Sequence, residues 1–162
     1  MKSKYFGYTL RGAGTPYQQW VLSDLPVSVE GAYTTSSTNA VPVAAKIPVQ
    51  TIAFNQVGAR VGADGTICLP QGVYKVEYSG ILSTAASSPV KIDLVAGTSV
   101  ISEVQEVTAT NGDGAFTSTI SGSGIIKLCC STSISVVNNS TVAVTPVLAG
   151  TETFRVFITR LA

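Results

Sequence analysis

The sequence predicts an all-β domain built as a sandwich or barrel. Short runs rich in Val, Ile and Thr recur along it, turn signals separate them at regular spacing, and no segment shows a 3.6-residue apolar period of helix length. The stretch QGVYKVEYSGIL (71–82) is the clearest run: Val73, Lys75, Glu77 and Ser79 alternate with Tyr74, Val76, Tyr78 and Gly80. A strand turns successive side chains to opposite faces. One row here is apolar and aromatic and suits a core; the other carries a Lys–Glu pair suited to water.

The elements follow in order from about residue 47. IPVQTIAFNQV (47–57) is a strand with a proline near its start, and Asp64-Gly65 is a compact turn signal leading into TICLP. After GVYKVEYSGIL come PVKIDLVAG, SVISEVQEVTAT, AFTSTISGSGIIKL, SISVVN, TVAVTPVL and TFRVFITRL. The breaks hold Ser-Ser-Pro (87–89), Asn-Gly-Asp-Gly (111–114), Asn-Asn-Ser (138–140) and Ala-Gly-Thr (149–151). In the closing strand Phe154, Val156 and Ile158 form a core row, which leaves Phe157 on the opposite face. Outward apolar surface of that kind marks a subunit interface.

The first 45 residues read differently. Tyr5, Phe6, Tyr8, Tyr17, Trp20 and Tyr33 are half of the chain's aromatics, and Lys2, Lys4 and Arg11 precede the first acid, Asp24. GAYTTSSTNAVPVAAK (31–46) reads as a linker or extended connection. The expected division is therefore an arm over 1–45 and a β domain over 46–162. The arm is too short to build a core of its own. It either packs back onto the domain or binds another protein through Tyr5, Phe6, Tyr8, Arg11, Tyr17 and Trp20, since buried aromatics supply much of the energy at interfaces.

At 162 residues and 16.7 kDa the chain is one domain, or one with an appendage, and can bury a sizeable core. Charged residues are only 12%, so the surface is neutral and hydroxyl-rich, and a net charge of +1 gives no field to attract nucleic acid or anionic lipid. No apolar run has the length of a membrane helix, and MKSKYFGYTLRGAG lacks the apolar core of a cleaved leader. Neither membrane insertion nor secretion by a leader is expected. Cys68, Cys129 and Cys130 make a poor disulfide framework; the simplest expectation is buried free thiols, with the vicinal pair on opposite faces of a strand.

The chemistry of catalysis is thin. With no histidine, a Ser-His-Asp or Cys-His device cannot be built and imidazole zinc sites are excluded. No phosphate-binding glycine motif is present, and SGSG (121–124) reads as a strand bend or bulge. Asp93 with Glu103 or Glu106 is the carboxylate pair that a glycosidase would use, but exposed strand carboxylates explain them more simply. Asp64 and Asp113 sit beside turn glycines, where turn chemistry rather than calcium accounts for them. Asn138 and Asn139 open N-x-[ST] sequons that carry little meaning without a secretory leader. The expectation is a protein that is not an enzyme and uses no cofactor or metal.

Taken as a whole, residues 47–162 resemble the complement C1q and tumour-necrosis-factor-like jelly-roll superfamily. In look they are similar to spore-surface collagen-like glycoprotein domains and to phage head-fibre or decoration modules. Gly72, Tyr74, Val76 and Tyr78 carry the Gly-x-Tyr strand, KIDLVAGTSVISE the strand-and-turn segment, and TFRVFITRLA the closing strand. No collagen Gly-X-Y stalk is present. The resemblance implies a ten-stranded jelly roll and a tight homotrimer. The function expected from it is a structural virion protein, a capsid decoration or head-fibre trimer. The aromatic arm would anchor it to the major capsid protein or another virion protein, at the virion surface. The alternative is a carbohydrate-binding tail-fibre or adhesin head, with its polar loops at 83–89, 108–118 and 137–141, or a trimeric domain on a spore or cell surface.

Overall fold

The computed structural model describes residues 4–5, 8–11, 19–22, 29–107, 109–110, 116–147 and 152–161. Fifteen strands lie within them: β1 (Lys4–Tyr5), β2 (Tyr8–Arg11), β3 (Gln19–Leu22), β4 (Val29–Thr35), β5 (Thr51–Asn55), β6 (Arg60–Val61), β7 (Ile67–Leu69), β8 (Gly72–Thr84), β9 (Pro89–Ala96), β10 (Ser99–Val107), β11 (Ala109–Thr110), β12 (Phe116–Leu128), β13 (Thr132–Asn138), β14 (Thr145–Val147) and β15 (Phe154–Arg160). No helix occurs among the described residues.

Two antiparallel sheets form the sandwich. One runs β10-β9-β13-β7-β6; the other runs β11-β12-β8-β15-β4-β5, with β14 attached to β8. Setting aside the short β11 and β14, each sheet holds five strands. Of the connections between consecutive main strands, β4–β5, β6–β7 and β9–β10 stay within a sheet and the rest cross to the other. The β6–β7 hairpin turns at Gly65 (φ 78°) and the β9–β10 hairpin at Gly97 (φ 59°), left-handed conformations that glycine adopts without steric cost.

The core is the set of inward rows. Tyr74, Val76, Tyr78, Phe154, Val156 and Ile158 are all buried, and Ile67, Leu69, Val90, Ile92, Leu94, Ile134 and Val136 face them from the other sheet. Tyr78 stacks on Phe154 with centroids 6.2 Å apart, and its hydroxyl crosses the sandwich to donate to the Ile92 carbonyl (3.2 Å). Tyr74 donates to Pro70 O (3.0 Å), while the Arg160 guanidinium lies 5.9 Å from its ring centroid. Each ring therefore buries its carbon surface, worth roughly 1.5–3 kcal/mol, without stranding a hydroxyl.

Three readings of the sequence are corrected here. The segment 31–46, expected as a linker or extended connection, contributes most of β4, which lies between β15 and β5, so the sandwich reaches back past the expected 45/46 boundary to Val29. Gly31 through Thr35 are buried because small and β-branched residues fit a strand covered on both faces. SGSG is neither bend nor bulge: β12 pairs with β8 in unbroken register from Phe116 to Leu128. Its glycines make room, since a Cβ at Gly122 would stand 2.4 Å from the Tyr78 ring and one at Gly124 would stand 2.7 Å from Ile101. The thiols of Cys129 and Cys130 are free and exposed in the turn between β12 and β13, and Cys68 is half-buried on β7.

Within the N-terminal segment, β1, β2 and β3 form a three-stranded antiparallel sheet. Its register pairs Tyr5 with Tyr8, Tyr8 with Leu22, Leu10 with Trp20 and Arg11 with Gln19.

Candidate functional site

The outer face of the β11-β12-β8-β15-β4-β5 sheet is the candidate, and period-two alternation defines it. Because Tyr74, Val76 and Tyr78 are buried, Lys75, Glu77 and Ser79 face outward, and so do the residues paired directly opposite them. The Glu77 row continues through Phe157, Ala32 and Phe54 on one side and Ser123 on the other. The Lys75 row runs through Thr159 to Glu30 on one side and reaches Ile125 on the other.

Apolar groups collect at the two lateral ends of this face. On the β15–β4–β5 side Phe54 meets Phe157 edge-to-face at 6.0 Å and remains 42% exposed; Ile52, 48% exposed on the same strand, pairs across a register shift with the inward-facing Tyr33. On β12 Ile125 is 68% exposed. Side chains of this size left in water each forgo roughly 1.5–3 kcal/mol of burial. Between the ends the face is polar: Lys75 and Glu77 form an ion pair at 2.8 Å, and Arg155 pairs with Glu152 at 2.7 Å. A concavity of about 390 Å³ lies there, lined by Glu77, Ser79, Ser121, Ser123, Arg155 and Phe157.

The sequence pointed to Phe157 on this face but not to Phe54 or Ile125. One signal was available. Ile125 and Ile126 are adjacent in a strand, so one must face outward, and Ile126 is the buried one. For β5 there was no such signal, because TIAFN alternates like a half-buried strand yet all five of its residues are exposed.

Of the expected arm residues, Tyr5, Tyr8, Arg11 and Trp20 lie on β1–β3, while Phe6 and Tyr17 lie outside the described residues. Asp93 and Glu103 are directly opposite each other on β9 and β10, and Glu106 pairs with Val90 instead. Lys91 holds Glu103 at 2.8 Å, and that hydrogen bond raises the lysine's pKa; Asn139 donates to Asp93 Oδ2 at 2.7 Å, and Asp93 Oδ1 is buried without a partner. Asp64 accepts from the Lys46 ammonium and from the Thr66 hydroxyl (2.7 Å) and amide (3.2 Å), which hold its carboxyl well below the usual range. Asp113 lies outside the described residues, among which no three His, Cys, Asp or Glu gather to hold a metal. Asn138 is fully buried; its amide nitrogen donates to the carbonyls of Val41, Pro42 and Val142, and its oxygen accepts from Ser140 N. The side chain of that first sequon is thus a buried structural clamp.

No family model matches the chain, and no curated protein matches it. Solved structures do. The structure of Eiger TNF from S. frugiperda superposes with a TM-score of 0.65 at 13% identity, covering 83% of this chain and 93% of that one. The globular domain of zebrafish complement 1qA superposes at 0.53 with 8% identity, covering 82% of this chain and 95% of that one. This is the C1q/TNF-like jelly-roll fold. At such identities the likeness is one of fold. Within this sandwich the outer face of the larger sheet carries Phe54 and Phe157 at one lateral end and Ile125 at the other.

Proposed function

We propose that the protein is a structural display module rather than an enzyme: a homotrimeric jelly roll, anchored through its N-terminal segment to a virion capsid and exposed on the virion surface. The carrying observation is apolar side chains exposed at opposite ends of one sheet face, Phe54 against Phe157 at one end and Ile125 at the other. The ends are separated by four strand spacings, about 19 Å at roughly 4.8 Å each, so one patch does not cover the other. Two distinct patches that meet head to tail are a heterologous contact, which closes into a ring when the rotation allows. The C1q/TNF-like fold supports a ring of three.

The anchoring role rests on the segment around β1–β3, with Tyr5, Phe6, Tyr8, Arg11, Tyr17 and Trp20 as its contacts to the capsid protein. Three such segments on one trimer bind together, so weak single contacts add through effective concentration. Light scattering on a sizing column tests the assembly. A mass near three times 16.7 kDa is the expected result, and a monomer at micromolar concentration removes the basis of the reading. Co-sedimentation with the cognate particle then tests the anchor.

One observation favours a second reading, a carbohydrate-binding head. The concavity beside Phe157 combines an aromatic ring with Arg155, Glu77 and three serines, a ring-plus-polar lining that suits a sugar. The two readings compete for one face. Glycan-array binding that survives Phe54→Ser and is lost in Phe157→Ala favours the sugar head; no binding at high valency removes it.

A further inference from the structure

We propose that the concavity beside β6, β7 and the β12–β13 turn is a site for small carboxylate-bearing disulfides such as oxidised glutathione, and that Cys68 keeps one half of the bound molecule as a mixed disulfide. The inference goes beyond the assembly reading above and does not depend on it. The concavity measures about 490 Å³ and is lined by Gly58, Arg60, Cys68, Pro70 and Ser131. Small-molecule sites span roughly 300–1,000 Å³. Alternation fixes where it opens: Ile67 and Leu69 are buried, so Cys68 between them faces outward from the smaller sheet. Phe54, Phe157 and Ile125 belong to the other sheet.

Two observations name the ligand. One is an unanswered charge. Lys46, Lys75, Lys91 and Arg155 each hold a carboxylate, whereas the Arg60 guanidinium has no ion-pair or hydrogen-bond partner among the described residues, and no acid lines the concavity. A guanidinium takes a carboxylate through two parallel N–H donors. The other is a nucleophile beside that charge. Arg60 stands directly opposite Cys68 across the β6–β7 pair, which sets their Cβ atoms about 4.5–5.5 Å apart. The Cys68 thiol is free and half-buried, and on its other side Ser133 Oγ lies 3.3 Å from the sulfur, placed to donate to a thiolate. A cation and a thiol on one wall select a ligand that carries an anion and an electrophilic sulfur together.

The ligand is also the oxidant. Cys68 gives its thiol proton to solvent, and the thiolate attacks one sulfur of the bound disulfide. The ligand's S–S bond breaks as the new one forms, and the expelled thiolate takes up a proton. One protein thiol and one oxidised glutathione give one mixed disulfide and one reduced glutathione, with a carboxylate of the retained half on Arg60.

The test uses the full chain carrying Cys129→Ser and Cys130→Ser, which leaves Cys68 as its one thiol. Both of those positions are exposed, so the melting temperature should not change. Reaction rates are measured with a dianionic aromatic disulfide, dithiobis(nitrobenzoate), and with a neutral one, dithiodipyridine; the product with oxidised glutathione is read by intact mass. All three should modify the folded protein. Arg60→Gln should slow the anionic reagent about fivefold and leave the neutral one unchanged, Arg60→Lys should keep most of the rate, and the difference should shrink in high salt. A Cys68 that reacts only on unfolding overturns the proposal. So does an Arg60→Gln variant that slows both reagents alike, which makes the arginine merely structural, or one that slows neither. None of these outcomes turns on native mass, so they are read separately from the fate of the assembly reading.

Discussion

Tyr33 shows how much a single side chain is asked to do. Its ring is fully buried and occupies the space above Gly31, where a Cβ would stand 2.6 Å from its hydroxyl. Its hydroxyl donates to Asn55 Oδ1 at 2.9 Å, and Asn55 in turn donates to Ala59 O and accepts from Ala59 N. Burial, with a smaller contribution from Tyr74, pushes the phenol up to about 12. The folded protein therefore keeps this proton where the unfolded chain, near 10, has released it, so the stabilisation is complete below pH 10 and is lost as pH rises towards 12. Burial also raises Tyr74 and Tyr78, with the same sign. Chemical denaturation from pH 8 to 12 should show a flat limb and then a fall above 10. In Tyr33→Phe the fall should be shallower, and stability at pH 8 about 1 kcal/mol lower for the lost hydrogen bond. At Gly122 the expected effect is steric. Gly122→Ala puts a methyl into the Tyr78 ring and should cost about 1–3 kcal/mol, read from denaturant midpoints. Asn138→Ala removes the side chain's bonds to the Val41, Pro42 and Val142 carbonyls and the one it accepts from Ser140 N, and should cost at least about 2 kcal/mol by the same measurement.

Among the elements, β8 and β5 make opposite uses of similar alternation. In β8 the Tyr/Val row is buried and the Lys75–Glu77 pair faces out, as its sequence suggests. In β5 all five residues are exposed, although Ile52 and Phe54 are as apolar as a core row. The difference is position. The first strand is paired on both sides within the larger sheet, by β12 and β15, whereas the second pairs with β4 at the sheet's end, across a register shift. Substitution at β5 should therefore alter assembly and leave the fold alone. Phe54→Ser is expected to keep its melting temperature at low concentration and to weaken self-association about tenfold to thirtyfold, the equivalent of about 1.5–2 kcal/mol of lost apolar burial per contact. Sedimentation equilibrium checks it; a large drop in stability instead would place Phe54 in the monomer's core. In β4 the legible signal was Tyr33-Thr34-Thr35, β-branched residues beside an aromatic. The surrounding Gly, Ala and Ser made the segment read as a linker, because a strand covered on both faces needs small residues as much as large ones.

On the scale of the whole molecule, the order of strands sets where the chain can be cut. β4 lies inside the larger sheet, between β15 and β5, and contributes Tyr33 to the core. A deletion ending at residue 40 removes that strand and should give unfolded, insoluble protein. Deleting residues 1–25 stops short of Val29 and should leave the melting temperature and native mass per copy count unchanged while abolishing attachment to the particle. Circular dichroism and sizing read the first outcome and co-sedimentation the second. Attachment that persists without residues 1–25 moves the anchor onto the jelly roll.

The sequence by itself determined the fold class and the core rows of the strands that alternate. Period two is a local property, and in β8 and β15 it separates Tyr74, Val76, Tyr78, Phe154, Val156 and Ile158 from their polar neighbours without knowledge of any partner strand. It also determined that histidine chemistry is absent. Tertiary structure alone decided what depends on who lies opposite. That includes the place of β4 in the sheet, the reason for glycine at 122, the exposure of Ile52, Phe54 and Ile125, and the presentation of Cys129 and Cys130 on a turn. Each of these is set by pairing between residues far apart in the chain. A side chain's own neighbours in sequence do not say whether a distant strand, another copy or water will cover it.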